Sequence, residues 1–233
     1  MDALAALAQL ARRAVVPAEL GHVLRDAVDV LAEVLGVEHA TVMELAPEGD
    51  DVRLRAGVGW EEGAIGRTVD AMPGGYVAYA LAAREPVVVE DLSAEDRFAP
   101  SPVLLGAGVR SSVAVCIPGA GERPYGVVGV HATELRSFTA EEVAFVDAVA
   151  TVLSSAIARH RQAIEINDEI LQTLVLAQYA QRRGGADAAR LLDQAVAQTR
   201  AMINDLLGDP STPPLPGDLR RARGARAAPR PEA

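Results

Sequence analysis

Lysine is absent from this chain of 233 residues: all 22 basic residues are arginine, a usage read as codon bias. One cysteine, Cys116, excludes an intramolecular disulfide and any cysteine-rich metal centre. Aromatic residues make up only 3% of a chain that is half apolar, so the core must be packed from Ala, Val, Leu and Ile. Positive charge is scarce too. A net charge of −10 opposes general affinity for nucleic acid or anionic membranes, which need clustered cations. Charge-free runs such as Ala148–Ala158 are too short to span a bilayer, and this one contains Ser154 and Ser155. Met1-Asp2 opens without the basic segment of a secretory signal. The expectation is a soluble cytoplasmic protein with neither DNA nor membrane as partner. Walker, GxSxG and HExxH motifs are missing, so no catalytic residues and no metal site are assigned.

What is present divides into four stretches. Residues 1–17 hold a helical pattern from Leu4 to Val15, broken by Pro17. Residues 18–160 begin with an amphipathic segment to Leu35, whose Val23, Leu24, Ala27, Val30, Leu31 and Val34 follow the i, i+3, i+4 rule. Gly36 supplies its stop. Two strand-like runs follow, His39–Leu45 and Asp51–Gly59, joined by the turn chemistry of Pro47-Glu48-Gly49-Asp50. Trp60 to Pro73 reads as irregular. Gly74-Gly75 opens a short helix through Leu81, and Pro86–Glu90 is a strand. Leu92 to Gly108 reads as loop with short helical turns. Ser111–Ile117 and Tyr125–Ala132, nearly continuous in valine, predict central strands buried on both faces.

Thr139 with Glu142 three positions later is a capping-box signature. No stop follows until Gly184-Gly185, which predicts a helix of about 44 residues, roughly 66 Å long. A second helix, Ala186–Leu207, carries Leu192, Ala195, Met202 and Leu206 among a seam spaced alternately by three and four. Residues 209–233 hold six of the fourteen prolines and five arginines against three acids, and predict disorder.

Three passages carry a resemblance. Gly74-Gly75-Tyr76-Val77-Ala78 leads to Arg84-Glu85-Pro86-Val87-Val88-Val89-Glu90-Asp91-Leu92. Gly108-Val109-Arg110-Ser111-Ser112-Val113-Ala114-Val115 follows, with Cys116 where proline is usual. Tyr125-Gly126-Val127-Val128-Gly129-Val130 then precedes Ser137-Phe138-Thr139. Together they resemble a GAF domain over residues 18–160, which implies an α+β fold: a central antiparallel sheet flanked by helices. The resemblance implies a small-molecule pocket but names no ligand, because this fold hosts many. It places Trp60, Tyr76, Phe98 and Arg110 in segments bordering that pocket. Core filling and, for Arg110, a salt bridge are the plainer readings of the same residues.

The cofactor stays open. Cyclic-nucleotide-binding members carry Asn-Lys where this chain has Ala132-Thr133. His131 is the best placed of four histidines for an axial haem ligand, although a surface or packed histidine is the better reading. Cys116 sits mid-strand among Val and Ile and reads as a small buried hydrophobe. One cysteine cannot run the multi-cysteine cycle of the family's methionine sulfoxide reductases.

The second resemblance lies in 161–208. Asn167-Asp168-Glu169-Ile170-Leu171-Gln172-Thr173-Leu174 resembles the H-D-x-[VI]-x-Q-x-L box of histidine-kinase dimerisation and phosphotransfer helices, with Asn167 where the phosphoacceptor histidine would stand. A carboxamide lacks the imidazole's nucleophilic, near-neutral nitrogen. Asn167 is therefore read as a polar seam residue, and Asp168 loses its task of orienting a histidine. Ala163, Ile170 and Ala177 repeat every seven residues, as do Asn167 and Leu174. A lone hairpin cannot bury such stripes, which implies a homodimeric four-helix bundle.

The expected function is a non-catalytic dimeric sensor or adaptor. Its pocket senses a small molecule, and its pseudo-phosphotransfer bundle meets a response regulator or histidine kinase. Two alternatives stand beside it. One is RNA-binding antitermination through the arginines from Arg220 to Arg230. The other is a redox enzyme using Cys116 or His131.

Overall fold

The computed structural model describes residues 2–15, 20–49, 51–71, 73–83, 85–119, 121, 123–182, 190 and 196–197. The chain divides into two compact units, Met1–Arg161 and Gln162–Ala233. The first opens with α1 (Ala3–Val15) and α2 (Leu20–Leu35). Gly36 leaves α2 at φ 60°, the left-handed conformation glycine adopts without steric cost.

β1 (His39–Leu45) and β2 (Asp51–Val58) form the hairpin expected from their flanking turn residues. Their register slips between Val42 and Met43: Val42 faces Ala56, whereas Met43 faces Leu54. Arg55 is the extra residue of a β-bulge. Because side chains alternate across a strand, one extra residue re-aims everything after it. Ala56 packs among the helices on one side of the sheet, and Leu54 lines a cavity on the other.

The stretch from Trp60 to Pro73 is not wholly irregular. It contains β3 (Thr68–Asp70), paired antiparallel to β2 with Arg53 facing Thr68. A three-residue strand is too short to display alternation, and backbone pairing at the sheet edge specifies it. Then come α3 (Tyr76–Ala82), β4 (Val87–Val89), α4 (Pro102–Gly106), β5 (Ser111–Ile117) and β6 (Gly126–Ala132). The six strands form one antiparallel sheet in the order β3-β2-β1-β6-β5-β4. β5 and β6 are interior strands, and every residue of β6 is buried.

α5 (Ala140–Arg182) is one helix of 43 residues. Its capping box is formed: the Glu142 amide donates to Thr139 Oγ1 at 3.2 Å, and the Thr139 amide donates to Glu142 Oε2 at 2.8 Å. Its first half packs Phe145, Val146, Val149, Ala150, Leu153 and Ile157 against the sheet, in a core shared with α1, α2 and the Val113, Val115, Val128 and Val130 side of β5 and β6. The opposite face carries a smaller core of Tyr76, Ala80, Val87, Val89, Phe98 and Leu104, to which β6 contributes Val127. Among the described residues no helix is long and apolar enough to cross a membrane.

Candidate functional site

On the α3–α4 side of the sheet lies a cavity of about 500 Å³, within the range that takes a small molecule. Met43, Leu54, Val69, Val77 and Leu104 give it an apolar wall; Thr41 and Ser101 add hydroxyls. Trp60 lines it as well. The indole is held by its own polar atom, since Nε1–H donates to the Ala40 carbonyl at 3.0 Å. Its ring lies 4.8 Å from that of His39 and edge-on to His131 at 5.9 Å. A second, narrow recess of about 20 Å³ adjoins Thr41, Met43, Val77, Ser101 and Leu104, and is completed by Tyr76, Gly129 and His131.

Four buried polar side chains run behind this recess. The Tyr76 hydroxyl sits 2.6 Å from Ser112 Oγ, which lies 2.7 Å from His131 Nδ1, and His131 Nε2 lies 3.2 Å from Thr41 Oγ1. Ser112 Oγ also approaches the Val130 carbonyl at 3.1 Å. Sheet register brings them together: His131 pairs with Ser112 on β5, and Gly129 pairs with Thr41 on β1. A Cβ at Gly129 would stand 3.0 Å from the His131 ring and 3.1 Å from Thr41 Oγ1. Glycine there leaves the room in which the imidazole reaches the threonine.

Burial, and next the electrostatic influence of neighbouring His39, push the His131 pKa down to about 3, so the imidazole is neutral. Burial raises the Tyr76 hydroxyl well above its ordinary value. The chain of groups is therefore uncharged. His39 Nδ1 is buried with no hydrogen-bond partner among the described residues.

Of the residues expected at a pocket, Trp60 lines the main cavity, and Tyr76 and His131 line its recess. Phe98 and Arg110 line neither. Phe98 is core, its ring packed at a tilt between Tyr76 at 4.9 Å and Tyr79 at 5.1 Å. Arg110 is exposed and pairs with Asp91 at 3.5 Å. Cys116 is half-buried away from both chambers, and burial raises its thiol pKa. No cluster of His, Cys, Asp and Glu suited to a metal occurs among the described residues. Thr41, Ser101 and Ser112 escaped sequence reasoning. For Thr41 and Ser112 the available signal was a polar residue at a strand position otherwise filled by Val or Ala; Ser101, at the start of α4, carried none.

The distal part of α5 belongs to the second unit. Asn167, Asp168 and Ala163 are exposed there, and Ile170 is half-buried. The side chains of Leu174 and Ala177, and residues Leu192, Ala195, Met202 and Leu206, lie outside the described residues, as does the tail from Asp209.

The family model of the GAF domain matches residues 19–157. The chain belongs to the GAF family. Solved GAF domains share its fold. One is that of an Acinetobacter phosphoenolpyruvate-protein phosphotransferase, at 21% identity and TM-score 0.60, covering 69% of this chain and 95% of that one. The GAF domain of a Coxiella burnetii phosphoenolpyruvate-protein phosphotransferase gives 22% and 0.61 with the same coverage. Similarity extends to the free methionine-R-sulfoxide reductase of Neisseria meningitidis in complex with its substrate, at 20% and 0.57 over 67% of this chain and 89% of that one. Comparison with curated protein sequences gave no match. At these identities the neighbours establish a GAF fold and leave its ligand open.

Proposed function

We propose that this GAF protein is a non-catalytic sensor. A small molecule fills the cavity, and α5 carries the response into a dimerising helical segment that engages a response regulator or histidine kinase. The observation that carries this reading is the two-sidedness of β6. Val127, Gly129 and His131 face the cavity side, while Val128 and Val130 pack in the core shared with α5. A ligand that shifts β6 by a fraction of an ångström displaces side chains on both faces, because close-packed interiors transmit strain. One hydrogen bond and one cation–π contact near the end of the first unit reinforce the helix: Arg159 donates to the Ala14 carbonyl at 3.1 Å, and the Arg161 guanidinium lies 5.7 Å from the Tyr125 ring centroid. Tyr125 immediately precedes β6.

Distal α5 supports the adaptor half of the reading. Ile164, Leu171, Val175 and Tyr179 are exposed apolar side chains. Asn167, exposed on the same helix, offers no phosphoacceptor nitrogen. The test is sedimentation of the full chain at micromolar concentration, with hydrogen exchange over residues 163–182 measured with and without a cavity-filling compound. A dimer whose exchange responds to the compound is expected. A monomer, unchanged exchange, or phosphate acquired at Asn167 from an ATP-fuelled kinase would refute it.

A further inference from the structure

We propose that the cavity selects an uncharged, chiefly apolar molecule carrying one hydroxyl or carbonyl group, held at a neck formed by Thr41 and Ser101. This rests on the reading of the cavity as a ligand site and adds the ligand's chemistry.

The wall disfavours charge. Among the described residues the Glu61 and Arg67 side chains are the only lining acid and arginine; they are 71% and 59% exposed and paired with each other. Inward of that pair the lining is chiefly apolar, with Met43, Leu54, Ala64, Val77 and Leu104 beside the Trp60 indole, the His39 imidazole and two hydroxyls. A carboxylate or phosphate lodged there would lose its hydration, and the lining guanidinium, on Arg67, is exposed and already paired with Glu61. His131, in the recess, supplies no counter-charge, because its imidazole is already neutral and both its nitrogens are engaged.

The neck accepts oxygen. Thr41 and Ser101 are the hydroxyl-bearing residues shared by the large chamber and the recess. Ser101 makes no capping bond to α4, so its hydroxyl is not spent on the helix end. The recess, at about 20 Å³, has room for one water-sized group. A ligand oxygen fits it while the apolar body occupies the larger chamber.

Proton counting explains why a hydroxyl and a carbonyl are both served. In one tautomer His131 Nδ1–H donates to Ser112, Ser112 donates to the Val130 carbonyl, and Thr41 donates to Nε2. Thr41 then offers the ligand a lone pair. In the other tautomer Ser112 donates to Nδ1, and Nε2–H donates to Thr41. Thr41 is then free to donate to the ligand. Tyr76 donates to Ser112 in both, so neither arrangement leaves a buried group unpaired. The tautomer follows the ligand's hydrogen-bonding sense at no cost in charge.

The experiment uses the full chain and prodan, an uncharged naphthyl ketone, beside the carboxylate of the same dimethylaminonaphthalene. Trp60 is the only tryptophan and lines the cavity, so its emission reports occupancy. Prodan is expected to bind once per chain, with blue-shifted emission and quenching of Trp60. The carboxylate should bind at least about tenfold more weakly. Thr41→Val should weaken prodan about fivefold. Ser101→Ala, at a half-buried position, is the second variant, decisive if Thr41→Val loses the wild-type circular dichroism spectrum. Equal or tighter binding of the carboxylate, with Trp60 quenched, overturns the ligand class and leaves the ligand site standing. Full prodan affinity in both variants overturns the neck. Silence of Trp60 towards both probes overturns the ligand site itself.

Discussion

Acidification should unfold this protein through His131. In the folded state burial holds the imidazole pKa near 3; in the unfolded chain it returns to about 6.5. Between those values the unfolded chain binds a proton that the folded one refuses, so stability falls as pH drops below about 6.5 and continues falling towards about 3. Each pKa unit corresponds to about 1.4 kcal/mol. Lowering pH from about 7 to about 5 should therefore cost about 2 kcal/mol from this residue alone, or roughly 4–8 °C in Tm for a domain of this size. Urea titrations read by Trp60 emission measure it, with His131→Gln as the control. That variant removes the titrating group while keeping an amide that can bond Thr41 or Ser112. The wild type should lose about 2 kcal/mol more than His131→Gln across the interval. Equal losses would mean that His131 is protonated in the folded state and that the uncharged relay is wrong.

Other expectations follow from the same geometry. Gly129→Ala should displace the His131 ring from Thr41 and lower Tm, seen as a changed Trp60 emission maximum alongside the melt. Gly59 has φ 80°, and a Cβ there would collide with the Glu38 carbonyl; Gly59→Ala should destabilise by more than about 1 kcal/mol in urea unfolding. Thr139→Ala removes half of the capping box and should cost about 1 kcal/mol by the same assay. Arg159→Ala should raise amide exchange in α1 by releasing the Ala14 carbonyl, with little change in β5 and β6.

The elements legible in the sequence are those whose signal is local. α2 was marked by its apolar stripe and Gly36, the β1–β2 hairpin by its turn, and the start of α5 by Thr139 and Glu142. The valine runs identified β5 and β6 as interior strands. The site was legible only in part, because it is made by register. Thr41, Ser112 and His131 lie on three strands, and nothing in any one segment announces that a glycine at 129 lets them meet. The bulge at Arg55 likewise decides which side Leu54 faces, and it appears only once β1 and β2 are paired. Phe98 and Arg110 were placed near a pocket by resemblance, whereas packing assigns one to the core and the other to an ion pair. The seam from Leu192 to Leu206 falls outside the described residues.

The alternation along β6 partitions the strand's tolerance to change. Positions 127 and 131 can diverge to accommodate new chemistry, while 129 is held to glycine by its close neighbours and 128 and 130 keep theirs among the helices. A library randomised at codons 127, 128, 130 and 131 should sort into two phenotypes, altered small-molecule response from the odd numbers and altered or lost output from the even ones.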